Sequence, residues 1–294
     1  MIKIIASDMD GTLLNDEMMI SQNNIDAINE AMDNGIDFLI ASGRQLDEAK
    51  PFLMNKFHPG YITLNGAEIY DKDEKLVSSN PISAKSVAKI TDYFKENNLY
   101  FELITDKGVF SNSLEKRTTS IAELLNILNP TTTYEKALAD TKEILKHAKT
   151  IYVDDYDEIL NDPDNKIMKL LVFDSRQKEI FDPLRADFKS IDDIVITSSS
   201  PNNLEINSVD AQKGIALMEY AKHKGVKPEE VMAIGDNLND YSMIKAAGVG
   251  VAMKNAVPKI TEVSDIQTDS NVNDGVAKVI QKVIKNNKTV GNRE

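Results

Sequence analysis

Cysteine is absent from the 294 residues, and only three histidines occur. The first absence removes disulfides, thiolate nucleophiles and thiolate metal sites together. The second leaves little scope for imidazole chemistry: His58, His147 and His223 fall outside every motif below and read as surface or packing residues. No stretch approaches the ~20 apolar residues that a membrane helix requires, and the first residues lack the basic region and long apolar core of a secretory signal. A cytoplasmic location is therefore expected, with no membrane partner. Positive charge is also in short supply. Lysine and arginine number 34 against 47 aspartates and glutamates, a formal net charge of -13. That balance argues against a sequence-independent nucleic-acid binder, whose affinity comes from neutralising phosphates.

What is present is the composition of a folded protein: 41% hydrophobic and 28% charged residues, in the ordinary globular range. The length exceeds that of a usual single core, so one large domain and a smaller one are expected. No internal repeat or low-complexity tract stands out.

The chain opens with Ile4-Ile5-Ala6-Ser7, a short apolar run that reads as a buried strand, followed by Asp8-Met9-Asp10-Gly11-Thr12. Two carboxylates at about 4 Å repel by roughly 4 kcal/mol at an effective dielectric near 20. The pair needs a cation, a shared proton or divergent directions, and a hard divalent cation with oxygen ligands resolves the conflict. A helix entry at Ser21 to Asn24, with Ile25, Ile28 and Met32 at helical spacing up to Asn34-Gly35, leads into a second strand at Ile36 to Ala41. This βαβ unit predicts a parallel sheet with right-handed crossovers. The strand ends at Ser42-Gly43-Arg44; Leu46 to Met54 is helical in pattern, and Tyr61 to Leu64 is a third strand ending at Asn65-Gly66.

From about Ser83 to Ser190 the pattern changes to a mixture of helices (Val87 to Asn97, Leu114 to Leu128, Gln177 to Phe188) and strands (Leu99 to Ile104, Ile151 to Asp154, Ile167 to Phe173). This is expected to be an α+β unit inserted into the first domain. Alternation then returns with Leu204 to Ile206 as strand, Lys213 to Lys224 as amphipathic helix and Val231 to Ile234 as a buried strand that ends in Gly235-Asp236. Asp240 to Ala247, Val249 to Met253 and Val257 to Val263 follow as helix, strand and helix. Asp274 to Lys285 closes the fold, and Asn286 to Glu294 reads as a frayed tail. The expected architecture is α/β: a Rossmann-like, three-layer core with a parallel sheet at 1–82 and 191–294, and an inserted α+β cap at 83–190.

Ligands of open parallel sheets bind beyond the carboxyl ends of the strands. Asp8, Asp10, Ser42 and Asp236 fall at or near such ends, and Lys213 opens a helix nearby. Three carboxylates, a hydroxyl and an ammonium suit a phosphate with Mg²⁺. Simpler readings exist for each piece. D-x-D-G-T can be a calcium-type loop or turn, Ser42 a helix N-cap, Lys213 a surface lysine, and Asp236 to Asp240 a turn. Ala247-Gly248-Val249-Gly250 lacks the third glycine of a dinucleotide loop and reads as a strand entry, and Asp154, Asp155 and Asp157 read as a solvated face.

Taken together, D-M-D-G-T-L-L at Asp8 to Leu14, A-S-G-R at Ala41 to Arg44, Lys213 and G-D-N-L-N-D at Gly235 to Asp240 resemble the haloacid dehalogenase superfamily of phosphotransferases. Asn65-Gly66-Ala67, Leu204-Glu205-Ile206 and the large insert are similar to its Cof-type branch, which carries a mobile cap of the second kind and includes YidA-like sugar phosphatases. The resemblance spans nearly the whole chain and departs from the family at Val209 to Gln212. It implies Mg²⁺-dependent hydrolysis of a small phosphate monoester, such as a sugar phosphate, through an aspartyl-phosphate. Asp8 is then the nucleophile and Asp10 the general acid and base. Met9, Ser42, Gly43, Lys213 and Asn239 surround the phosphoryl group. The cation is held by Asp8, Asp236 and the backbone carbonyl of Asp10, with Asp240 orienting Lys213 or a metal-bound water, and the cap closes to exclude water and select substrate. A phosphomutase or other phosphotransferase on the same core, and a non-catalytic sensor of phosphometabolites, are the alternatives. The partner is a small phosphorylated metabolite, with the protein a monomer or homodimer.

Overall fold

The computed structural model describes residues 1–128, 132–147, 149–198 and 200–291. Contacts divide the chain into two units, Met1–Asn80 with Asp210–Glu294, and Pro81–Val209. The first unit begins with β1 (Ile4–Asp8), α1 (Gln22–Asp33), β2 (Asp37–Ala41), α2 (Leu46–Ala49), β3 (Gly60–Thr63), β4 (Glu68–Tyr70) and β5 (Leu76–Ser79). The second holds α3 (Ala84–Glu96), β6 (Tyr100–Thr105), β7 (Gly108–Ser111), α4 (Leu114–Leu128), α5 (Tyr134–His147), β8 (Thr150–Tyr152), α6 (Asp157–Asn161), β9 (Ile167–Phe173), α7 (Lys178–Phe188), β10 (Ile194–Thr197) and β11 (Asn203–Ser208). The chain then returns to the first unit with α8 (Lys213–His223), β12 (Val231–Gly235), α9 (Tyr241–Ala246), β13 (Val249–Ala252), α10 (Pro258–Val263), β14 (Ile266–Gln267) and α11 (Gly275–Gly291).

The first unit is built on an eight-stranded sheet in the order β14-β13-β12-β1-β2-β3-β4-β5. Its strands are parallel from β14 to β3, and β4 and β5 add antiparallel at one edge. β1 is apolar at every position before Ser7 because both of its faces are covered. Ile5 joins the core formed with Ile28 of α1 and Val276 and Ile280 of α11, whereas Ile4 and Ala6 pack with Leu217 and Tyr220 of α8 and Met243 and Ile244 of α9. Phe38 and Ile40 of β2 face the first layer, and Leu39 and Ala41 face the second. The result is the three-layer α/β core. Successive strands run outward from β1 to β3 on one side and from β12 to β14 on the other, so the order reverses between β1 and β12. A crevice opens at such a switch point beyond the strand ends.

The second unit has a six-stranded sheet in the order β10-β11-β9-β6-β7-β8, antiparallel except for the β7–β8 pair. One face, with Phe101, Leu170, Val172, Leu204 and Ile206, packs on Phe94 of α3 and Leu184 and Phe188 of α7. The other face carries two largely buried ion pairs among apolar residues such as Leu171. Glu102 meets Arg117 of α4, and Lys169 Nζ lies 2.8 Å from Glu205 Oε2.

Four expectations need correction. The insert extends to Val209 and not to Ser190, because Leu204 to Ile206 pairs with β9 and β10 pairs with β11 inside the second sheet. Helices α5 and α6 and strands β4, β5, β7, β10 and β14 were not anticipated. Within α5, Ala137 and Thr141 are buried among the residues whose burial is described, and Tyr134, Ala137, Leu138, Thr141 and Leu145 recur at the spacing of one helix face. The Leu46 to Met54 helix divides into α2 and a 3₁₀ turn, Lys50–Leu53, since Pro51 has no N–H to continue an α-helix. Residues 286–291, expected to fray, are helical. Asn287 accounts for part of this, accepting from the Ile2 N–H at 3.1 Å and donating to the Ile2 carbonyl at 2.8 Å. The rest of the expected tail lies outside the described residues.

Candidate active site

Asp8 ends β1, and Asp236 follows directly on β12, its neighbour in the sheet. Ser42 follows β2, Lys213 is the first residue of α8, and Asp240 precedes α9. Residues separated by more than two hundred positions thus meet at the switch point. Carboxylate oxygens of Asp8, Asp236 and Asp240 all lie within 4.8 Å of one another. Lys213, wholly buried, reaches Asp8 Oδ1 at 2.5 Å and Asp240 Oδ1 at 2.7 Å. Asp240 Oδ2 accepts from the backbone N–H groups of Asp236 and Asn237 at 2.9 and 3.0 Å. Both oxygens of Asp240 are therefore engaged, one by Lys213 and the other by the backbone of the 236–240 turn. The Thr12 hydroxyl donates to Asp236 Oδ1 at 2.7 Å.

Burial and the neighbouring charge of Asp240 push the Asp8 carboxyl well above the usual carboxylate range, with Lys213 pulling it back. Burial likewise pushes Asp236 up to about 6. For Lys213 burial acts to lower proton affinity, but Asp240 and Asp8 more than reverse it and hold the ammonium above its ordinary value. When all three carboxylates are ionised they outnumber the one ammonium by two negative charges in a buried cluster. One divalent cation balances them, and an all-oxygen donor set favours a hard ion. The Asp8 and Asp236 side chains are the groups that could hold it. Gly11 (φ +84°) lets the loop pass close to this cluster, since a Cβ there would lie 2.6 Å from Asp236 Oδ2.

The remaining residues singled out in the sequence are distributed unequally. Asp10 is not in the buried cluster. Its side chain is 46% exposed and is gripped by Arg44, with Nε to Oδ2 at 2.8 Å and Nη2 to Oδ1 at 2.6 Å. Met9 sends its side chain into the apolar core, and its carbonyl accepts from the Leu13 and Leu14 N–H groups, so only its N–H can face a ligand. Ser42 is buried at the β2 end and is not a helix N-cap; Gln45 holds that place on α2. Its Oγ accepts from the Arg44 N–H at 3.1 Å, which leaves the hydroxyl hydrogen to donate. Gly43 sits beside Asn65, whose Oδ1 accepts from Asn239 Nδ2 at 3.2 Å. Asn65 and Leu64 take left-handed φ values of +60° and +50°, and their N–H groups bond the carbonyls of Ser42 and Arg44. Such backbone costs about 1–3 kcal/mol per residue and clusters at functional loops.

Three residues of the site, Thr12, Arg44 and Asn65, carry no role that their sequence motifs state. Each belongs to a recognised string, but linear spacing shows no partner for any of them. The unusual segment Val209 to Gln212 also finds its shape here. Gly66 (φ +111°) packs so closely that a Cβ would lie 2.5 Å from the Gln212 carbonyl oxygen, which sets the loop leading into Lys213.

With this geometry in view, comparison with known proteins gives the class. The model of the haloacid dehalogenase-like hydrolases matches residues 5–280, and the chain belongs to that family as a Cof-type phosphatase. Among its relatives is the 5-amino-6-(5-phospho-D-ribitylamino)uracil phosphatase YcsE of Bacillus subtilis, 34% identical over 281 residues and covering 95% of each chain. A second phosphatase of the same description and organism, YwtE, is 32% identical, over 96% of this chain and 98% of its own. Among solved structures, a haloacid dehalogenase-like hydrolase from B. subtilis superposes with a TM-score of 0.82 at 28% identity, over 95% of this chain and 99% of that one. No helix among the described residues is long and apolar enough to cross a membrane.

Proposed function

We propose that this protein is a cytoplasmic, Mg²⁺-dependent phosphatase of small phosphate monoesters, of the sugar-phosphate and polyol-phosphate class, acting through an aspartyl-phosphate on Asp8. The observation that carries the reading is the contact of Asp8 with buried Lys213 inside a cluster left two charges short of neutrality. In the first step an Asp8 oxygen attacks phosphorus in line with the ester oxygen. The P–O bond to the leaving group breaks, and Asp10 delivers its proton to that oxygen, releasing an alcohol. In the second step Asp10 takes a proton from water as that water attacks phosphorus, giving inorganic phosphate and free Asp8. Lys213 offsets charge on Asp8 and has one N–H left beyond its two carboxylates, and the Ser42 hydroxyl and the Met9 N–H are donors for phosphoryl oxygens. The side chains of Asp8 and Asp236 and the Asp10 carbonyl would hold Mg²⁺, which when bound supplies the missing positive charge and polarises the phosphoryl group.

The named relatives act on a phosphorylated ribityl chain, which supports including polyol phosphates among the candidates. Residues 81–209 are proposed as the substrate-selecting unit. The test is phosphate release by the purified protein across sugar phosphates, 5-amino-6-(5-phospho-D-ribitylamino)uracil, nucleotides and phosphorylated cofactors, with Mg²⁺ and with chelator, in ¹⁸O-labelled water. Label in inorganic phosphate is expected. Transfer of the phosphoryl group to a second metabolite without label would replace hydrolysis by a mutase or transferase reading, and binding without any turnover would favour a sensor.

A further inference from the structure

Arg44 enters neither the buried charge cluster nor the scheme above, yet it is held more firmly than an exposed arginine ordinarily is. Its guanidinium lies over the Phe52 ring, 4.7 Å from the centroid, while two of its nitrogens grip both oxygens of Asp10 at 2.6 and 2.8 Å. Its N–H bonds Ser42 Oγ, and its carbonyl accepts from Leu64 in the left-handed loop. Arg44 is thus fixed at the backbone by the β2 and β3 loops, and at its tip by an aromatic face and a carboxylate.

Asp10 has no comparable restraint of its own. It lies beyond the end of β1, beside Gly11 with its positive φ, and its side chain is nearly half exposed. A carboxylate in that position would sample several rotamers in water. Two parallel N–H···O bonds from a planar fork fix both distance and plane, which one ammonium cannot do. Each carboxylate oxygen has two lone-pair directions. The grip occupies one on each oxygen and leaves the other open, on a side chain that solvent can reach.

We propose that Arg44 is the positioning residue for Asp10, fixing the direction from which its carboxyl exchanges a proton with the leaving-group oxygen. This rests on the assignment of Asp10 as proton carrier. The chemistry gives the inference a specific readout. An alkoxide leaving group needs the proton as the P–O bond breaks, whereas a dinitrophenolate leaves as a stable anion and needs almost none. A defect in proton delivery therefore grows with the basicity of the leaving group. A defect in phosphoryl binding, metal binding or folding falls on all esters alike.

The experiment compares kcat/KM, which reports steps only up to departure of the leaving group and not the later hydrolysis of the aspartyl-phosphate, for a sugar or alkyl phosphate and for 2,4-dinitrophenyl phosphate, using the full-length protein with Mg²⁺, for wild type, Arg44→Ala, Arg44→Lys, Asp10→Asn and Asp8→Asn. Positioned acid–base catalysis contributes about 10²–10⁴-fold. Arg44→Ala is expected to lower the alkyl-to-aryl ratio of kcat/KM by about 10- to 100-fold, part of that range. Arg44→Lys should recover little of it, because charge returns without the fork. Asp10→Asn should lower the ratio at least as far, and Asp8→Asn should remove both activities. An unchanged ratio in Arg44→Ala, whether both esters slow equally or neither slows, overturns the positioning role. So does full recovery in Arg44→Lys. An unchanged ratio in Asp10→Asn instead refutes the assignment of Asp10 on which the proposal stands, and the two failures are thereby told apart.

Discussion

Replacing Lys213 with methionine is the sharpest test of the charge arrangement, because the ammonium is the one cation touching the carboxylate cluster among the described residues. Methionine keeps most of the volume at a fully buried position and removes hydrogen bonds of 2.5 and 2.7 Å. Removing one partner of a buried pair costs about 3–5 kcal/mol, since the other charges stay behind uncompensated. Two carboxylates lose their partner here, so the upper part of that range is expected in chelator. Mg²⁺ should return a portion of the loss. A ligand that binds only the folded state stabilises by about 2.7 kcal/mol at a hundred times its Kd, and a cluster three charges short of neutrality attracts the cation more than one that is two short. Urea unfolding of wild type and Lys213→Met, each with Mg²⁺ and with chelator, measures both effects. The Mg²⁺-induced rise in stability should be larger for the variant, while turnover falls by about 10²-fold or more, the scale of losing one donor to developing charge. Equal destabilisation with and without Mg²⁺ would refute the account of Lys213 as a counter-charge to a cation-binding cluster.

Asp8→Asn is expected to abolish turnover of every ester while the thermal midpoint in chelator stays at or above that of wild type, since a buried charge disappears; appreciable activity in the folded variant would sink the nucleophile. The metal-free protein should lose stability as pH rises. Asp236 is raised to about 6 by burial, so its contribution is complete below the ordinary carboxylate range and is lost as pH passes about 6. Melting curves from pH 4.5 to 7.5 in chelator should show that decline, and Mg²⁺ or Asp236→Asn should flatten it. Gly66→Ala should destabilise by about 1–3 kcal/mol, the cost of strained backbone, because φ is +111° and the Cβ would meet the Gln212 carbonyl at 2.5 Å. Its kcat should fall further than stability alone accounts for, as the displaced loop carries Lys213; a urea midpoint and kcat both like wild type would contradict this.

Much of the core was legible because its strands are covered on both faces. Ile4 to Ala6, Phe38 to Ala41 and Val231 to Ile234 are continuous apolar runs, and the polar residues that end them mark where burial stops. Leu204-Glu205-Ile206 alternates in polarity and belongs to the second sheet, where Leu204 and Ile206 face the core; so short a segment carries no record of its partner strand. Strands β4 and β5 were passed over because Glu68-Ile69-Tyr70 and Leu76-Val77-Ser78-Ser79 are short and mixed in polarity at a sheet edge. Helix α5 was within reach of the sequence, since Tyr134, Ala137, Leu138, Thr141 and Leu145 recur at helical spacing on one face.

The two aspartates at the start of the chain illustrate where linear reading ends. By itself the sequence determined the chemical inventory: a carboxylate pair after a buried strand, a hydroxyl, a lysine and a second acidic turn, with cysteine chemistry excluded. These are matters of composition and local pattern, which neighbouring residues encode. Only the tertiary structure decided that the pair diverges, with Asp8 turned into a buried cluster beside Lys213 and Asp236, and Asp10 turned out to the grip of Arg44. It also decided that Asp240 spends both oxygens on support. Distance, burial and the direction of a side chain arise from strand order and loop closure across more than two hundred residues, and no local pattern carries them.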